Sequence, residues 1–113
     1  MRGKYKAAFI VPNGTAKTLG DYGWEFRGIG RISTEVITYL VGALGLKLVG
    51  EYSGIRKYVG EHAEMSTFLD EGNDVESIYF QFYNDSIPDL SGMFKESDFF
   101  SGLELFIPDG VGL

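Results

Sequence analysis

The spacing of apolar and polar residues changes several times along the chain, and each spacing predicts an element. From Ser33 onward, Val36, Ile37, Leu40, Val41 and Leu44 form one broad stripe at helical spacing, which predicts a helix over 33–45. Ser33 suits its N-cap, Glu35 suits the positive end of the helix dipole, and Gly45 suits a C-terminal stop. Gly42 inside that helix costs about 1 kcal/mol relative to Ala, so close packing of the backbone is expected there.

Strand spacing is strongest at 77–83, where Ile78, Phe80 and Phe82 alternate with Tyr79, Gln81 and Tyr83. Residues 4–11 read as a first, central strand ending in a Pro-Asn-Gly turn. The runs 46–52 and 55–59 flank Ser53-Gly54 and read as a β-hairpin. Trp24, Phe26, Ile29 and Ile32 suggest a short strand broken at Gly28 and Gly30, and 103–107 a last strand before Pro108. Residues 13–23, rich in Gly and Thr, read as a loop or a short turn of helix. His62, Met65, Phe68 and Leu69 allow a second short helix within 60–71, with a loop as the alternative, and 93–100 allows a helical turn. The sum is an α+β fold in a single domain over 1–113: a mostly antiparallel sheet of about five or six strands with one main helix packed on it.

Composition narrows the classes. A chain of 113 residues with 44% hydrophobic and 15% aromatic residues is apolar enough to fold and large enough for a real core. The absence of cysteine removes disulfides, thiolate catalysis and Cys-bearing metal sites. No apolar run is long enough to span a bilayer or to serve as a signal peptide, so a cytoplasmic protein that does not engage a membrane is expected. The sequons at Asn13 and Asn84 then read as turn chemistry. The net charge of −6 divides unevenly: up to Gly50 seven basic residues face three acidic ones, and beyond it three face thirteen. Halves at +4 and −10 make an electric dipole if the fold keeps them apart, and the acidic one repels nucleic acid.

Motifs that carry chemistry are incomplete. The segment 12–18 contains Lys17-Thr18 after a strand, but a phosphate loop needs glycine where Ala16 and Val11 stand. Gly28-Ile29-Gly30-Arg31-Ile32-Ser33 opens the helix and resembles a dinucleotide fingerprint. It lacks the last glycine and the parallel βαβ setting, so turn glycines before a capped helix are the simpler account, with a small anion on Arg31 as the alternative. His62 is the only histidine, too isolated for a zinc or catalytic constellation. The run 70–76 departs from a calcium loop at Gly72 and Val75. No cofactor, metal or catalytic residue is therefore assigned.

The acidic second half offers a different site. Asp70, Glu71, Asp74 and Glu76, with Asp85, Asp89, Glu96 and Asp98, interleave with Tyr83 and Phe99 among other aromatics. Anchors surrounded by carboxylates suit a basic protein partner. The expected function is non-enzymatic: an inhibitor of the immunity-protein or phage-encoded type that occludes a nuclease or other nucleic-acid-handling protein. Two alternatives stand beside it: a small phage or virion assembly protein that oligomerises through sheet edges, and an anion- or nucleotide-binding domain using the loop 28–30. The oligomeric state stays open.

Overall fold

Alternation of apolar side chains along the strands gives this chain a six-stranded antiparallel sheet with one helix on it. The structure is a computed structural model and describes residues 7–21, 23–61, 63–83 and 98–106. Its strands are β1 (Ala7–Pro12), β2 (Ala16–Gly20), β3 (Gly23–Arg27), β4 (Lys47–Tyr52), β5 (Ile55–Val59), β6 (Ala63–Leu69), β7 (Val75–Phe82) and β8 (Leu103–Phe106). Helix α1 (Thr34–Leu44) joins β3 to β4. The main sheet runs β4-β5-β6-β7-β1-β8, and β2 pairs with β3 as a separate ribbon.

Register places the core on one face. Ala8 sits opposite Phe80, Phe80 opposite Met65, and Met65 opposite Tyr58, so one row of side chains crosses four strands. With Ile10, Ile78, Phe82 and Ala63 they form a buried layer against Val36, Ile37 and Leu40 of α1. Along β6 and β7 the row is a run of fully buried residues, and Phe80 and Phe82 stack with ring centroids 5.9 Å apart. The ribbon covers part of the opposite face: Phe26 meets Phe9 at 4.8 Å and Trp24 meets Phe106 at 4.8 Å. The predicted central strand is thus flanked on both sides, by β7 and β8.

The helix forms where its stripe predicts, with Ser33 at the N-cap and Gly45 in the left-handed region at φ 65°, though the Ser33 side chain makes no capping hydrogen bond. Leu46 N–H closes the end by donating to Val41 O at 2.9 Å. The 46–59 hairpin forms as well, because Ser53 and Gly54 both accept positive φ, 51° and 79°, as a type I′ turn requires.

Three expectations are corrected. Residues 60–71 hold strand β6 and no helix: Ala63, Met65 and Thr67 point inward at period two, and pairing with both β5 and β7 overrides the weak helical spacing. Residues 13–23 carry strand β2 and the start of β3, where only Leu19 is strongly apolar and the partner strand supplies the anchoring rings. Among the described residues nothing packs on Gly42: outside the helix's own backbone, a Cβ there would meet no atom within 4 Å. The predicted turn at 93–100 lies mostly outside the described residues and ends in a 3-10 turn, Asp98–Phe100, with Phe100 buried in the core. His62 also lies outside them.

Because Gly42 is exposed in a helix interior with room for a methyl group, Gly42→Ala is expected to stabilise the protein by about 0.5–1 kcal/mol. Urea unfolding checks this, and a lower midpoint would show a constraint at Gly42 that the packing does not account for.

Candidate functional site

The acidic run becomes a tightly organised turn between β6 and β7. Asp70 Oδ1 accepts from the Gly72 and Asp74 N–H groups at 2.8 and 2.9 Å, and Asp70 N–H donates to Asp74 O at 2.9 Å. Asn73 takes φ 69°, a left-handed conformation that Asn tolerates better than most residues. The other oxygen of Asp70 meets Arg31 Nε at 2.8 Å, a contact spanning 39 residues. Arg31 also reaches Glu76 at 3.5 Å and donates to Gly30 O at 2.6 Å and Gly28 O at 3.4 Å. One guanidinium therefore ties the β3–α1 loop to the β6–β7 turn, beside the Ile32–Val75 bridge. The Arg31 hydrogen bond, helped by the two backbone N–H groups, holds the Asp70 carboxyl below its ordinary value.

The loop glycines serve the same junction. A Cβ at Gly30 would stand 2.6 Å from Pro12 Cβ, and one at Gly28 would stand 3.0 Å from Thr15 Oγ1, so both let the loop lie on the β1–β2 turn. Every nitrogen of Arg31 faces a carboxylate or a carbonyl.

The anticipated residues are not all in one place. Asp70, Glu71, Asp74 and Glu76 share one end of the sheet, with Glu71, Asp74 and Glu76 exposed. Tyr83 follows β7 at the other end, about 25 Å away at strand rise. There its hydroxyl donates to Glu64 Oε2 at 2.8 Å, while Lys57 Nζ lies 2.9 Å from Oε1. Lys57 first, then Tyr83, hold the Glu64 carboxyl low, and the bond to Glu64 raises the Tyr83 phenol. Asp98 is exposed on the turn before β8, which β1 separates from β7. Asp85, Asp89 and Glu96 lie outside the described residues, as does the Phe99 side chain.

Two residues beside the acidic turn escaped the sequence reading. Leu69 N–H donates to Gly54 O at 2.8 Å, which brings the β4–β5 turn, and Tyr52 before it, alongside the acidic one. Tyr52 is 79% exposed, and Ile29, in the loop that Arg31 anchors, is 98% exposed. Only Tyr52's place next to a hairpin turn could have marked it from sequence.

The halves of the chain do not separate either. Strand β1 inserts between β7 and β8, and three of the five described ion pairs, Lys17–Glu104, Arg31–Asp70 and Arg31–Glu76, join a cation of the first half to a carboxylate of the second. Among the described residues the charge is interleaved, and the acidic character that remains there is local to the 70–76 turn. Among the described residues no group of three metal-ligating side chains converges, and no helix is long and apolar enough to cross a membrane. No protein-family model matches the chain, no curated protein is similar to it in sequence, and no solved structure matches its fold.

Since Asp70 titrates lower folded than free, its contribution is present above the ordinary carboxylate value of 3.8 and disappears as pH falls through the lowered folded value. The Gly72 and Asp74 amides should thus stay protected from hydrogen exchange at a pH where free Asp is already half protonated. Loss of protection in step with a free carboxylate would mean that Arg31 does not hold the turn in solution.

Proposed function

We propose that this protein binds another protein, without catalysis, through the end of the sheet that carries the 70–76 turn. The observation that supports this most is the junction itself: Arg31 and two backbone N–H groups fix Asp70, so that Glu71 and Asp74 stand exposed on a preorganised turn. Preorganisation reduces the ordering cost of binding. Tyr52 and Ile29 add exposed apolar surface at the same end, which gives the composition expected of an anchor within a charged rim. The partner this chemistry fits is a basic protein surface, and a nuclease or another nucleic-acid-handling protein has one by necessity. The carboxylates would then occupy positions meant for phosphate, and the mode of action is occlusion.

Assembly through the β4 edge is the weaker reading. That strand is exposed along its whole length, with Leu48 and Val49 uncovered, but a bulge between Leu48 and Gly50 breaks its ladder, and Lys47 and Glu51 flank it. Bulges and edge charges are the devices that keep edge strands from pairing.

The test uses Glu71→Lys/Asp74→Lys/Glu76→Lys, which leaves Asp70 to hold the turn. The intact protein should retain a basic protein from cell extract, releasing it as salt rises from about 0.05 to about 0.5 M. The triple variant, folded by circular dichroism, should associate with that protein on the order of tenfold more slowly or worse. Unchanged retention by the variant, or a retained protein indifferent to salt, would contradict the proposal.

A further inference from the structure

On the face of the sheet away from α1, the β2–β3 ribbon lies over β1 and β8, and its edge forms a step beside β7 and β6. Phe26 and Arg27 at that edge, with Thr15 and Gly28, wall an open cleft of about 460 Å³ floored by Ser77 and Phe68, within the size range of small-molecule sites. The register shift between Phe68 and Leu69 leaves Glu76 as an extra residue in β7, so that Val75 enters the core while Glu76 and Ser77 both line the cleft. Two independent observations meet there. Thr15 and Ser77 are each only 7% exposed, yet neither hydroxyl has a hydrogen-bond partner among the described residues. Neither is sealed in: the closed, unpartnered side-chain oxygen among those residues is Thr67 Oγ1, so the Thr15 and Ser77 hydroxyls keep accessible surface, and the cleft is what they line. Side chains so buried with polar atoms unpartnered are rare unless something completes them. The other observation is charge. Of the three charged side chains at the cleft, Arg31 is taken up by Asp70 at 2.8 Å and by two carbonyls, and it lies 3.5 Å from Glu76, whose side chain stays 47% exposed. Arg27 is exposed and has no ion pair among the described residues. With Asp70 cancelling Arg31, one open charge of each sign remains, on Arg27 and on Glu76.

We propose that this cleft binds a free α-amino acid with an aromatic side chain. The ligand's carboxylate takes the Arg27 guanidinium, whose fork matches two carboxylate oxygens. The Thr15 hydroxyl, which lies against Gly28, the residue after Arg27, donates a further bond to it. The ammonium group faces the Glu76 carboxylate, and the neighbouring Ser77 hydroxyl accepts from it. A simple carboxylic acid meets the Glu76 charge and a simple amine meets the Arg27 charge, so each is repelled by one end of the cleft. A dipolar ligand satisfies both ends. Phe26 and Phe68 line the space between, and an aromatic side chain gains ring contacts there beyond the burial of its surface.

Titration of the full chain with L-phenylalanine, N-acetyl-L-phenylalanine, L-phenylalaninamide and L-alanine, followed by amide NMR and calorimetry, tests this. L-phenylalanine should shift the amides of Arg27, Gly28, Phe68 and Ser77. It should bind at least about tenfold more tightly than each of the other three, which lack the free ammonium, the carboxylate and the ring in turn. Ser77→Ala, which removes a hydroxyl that bonds nothing in the free protein, should weaken L-phenylalanine about tenfold, as loss of a hydrogen bond to a charged group does, while the melting temperature holds. Arg27→Gln, at an exposed position, should weaken it by a similar factor. Neither substitution alters Glu71, Asp74 or Glu76, so both variants should retain a basic protein partner as the intact chain does, and the two proposals fail separately. No shift with L-phenylalanine at about 20 mM would mean that water alone completes the two hydroxyls. That result, any of the three analogues binding as tightly, or unchanged binding by Ser77→Ala would each overturn the assignment.

Discussion

Among the described residues a single helix faces six strands, too little to cover them, and most of what is distinctive in this part of the molecule follows from that mismatch. Five inter-strand spacings make the sheet about 24 Å wide, whereas an α-helix with its side chains is about 10–12 Å across. Helix α1 enters beside Val75 and leaves beside Gly60, so it lies along the strands and shields the inner ones, β6, β7 and β1. Those strands carry Met65, Ile78, Phe80 and Ile10, all fully buried. On the opposite face the β2–β3 ribbon supplies a second cover over β1 and β8 through Phe26 and Trp24. Among the described residues, strand β4 receives neither cover, and β5 is covered only in part, where Tyr58 joins the layer under α1. That exposure leaves Tyr52 at the surface next to the acidic turn.

The charge of the protein acquires a different meaning in three dimensions. A chain that runs from +4 to −10 suggests a molecule with two poles, yet threading β1 between β7 and β8 mixes the halves and neutralises part of each. Lys17 settles on Glu104 and over the Phe106 ring, and Arg31 settles between Asp70 and Glu76. Such part-exposed pairs contribute little to stability singly. Their consequence is positional: Arg31 selects which carboxylates are consumed by the fold and which remain outward. Asp70 belongs to the first kind, and Glu71 and Asp74 to the second.

What was legible in the sequence divides along physical lines. Helix α1, the 46–59 hairpin and β7 announced themselves because spacing, caps and turn residues agreed with the packing they later joined. Strand β6 did not, since its inward residues are Ala63, Met65 and the polar Thr67, and only partners on both sides make that row a strand. Strand β2 is legible only through β3, whose rings hold it down. At the acidic end the carboxylates were visible as residue types. Their sorting was not, because it depends on a guanidinium 39 residues away and on where the β4–β5 turn comes to rest. Tyr83, counted with them from its place in the chain, stands at the far end because β7 runs the full height of the sheet.

Amide hydrogen exchange of the protein bound to its captured partner locates the working face, which we propose is the end of the sheet where α1 begins. New protection is expected across 70–76 and 52–54, with the Glu64 and Tyr83 end exchanging as in the free protein. Protection gathered at Glu64 and Tyr83 instead, with 70–76 unchanged, would contradict the proposal.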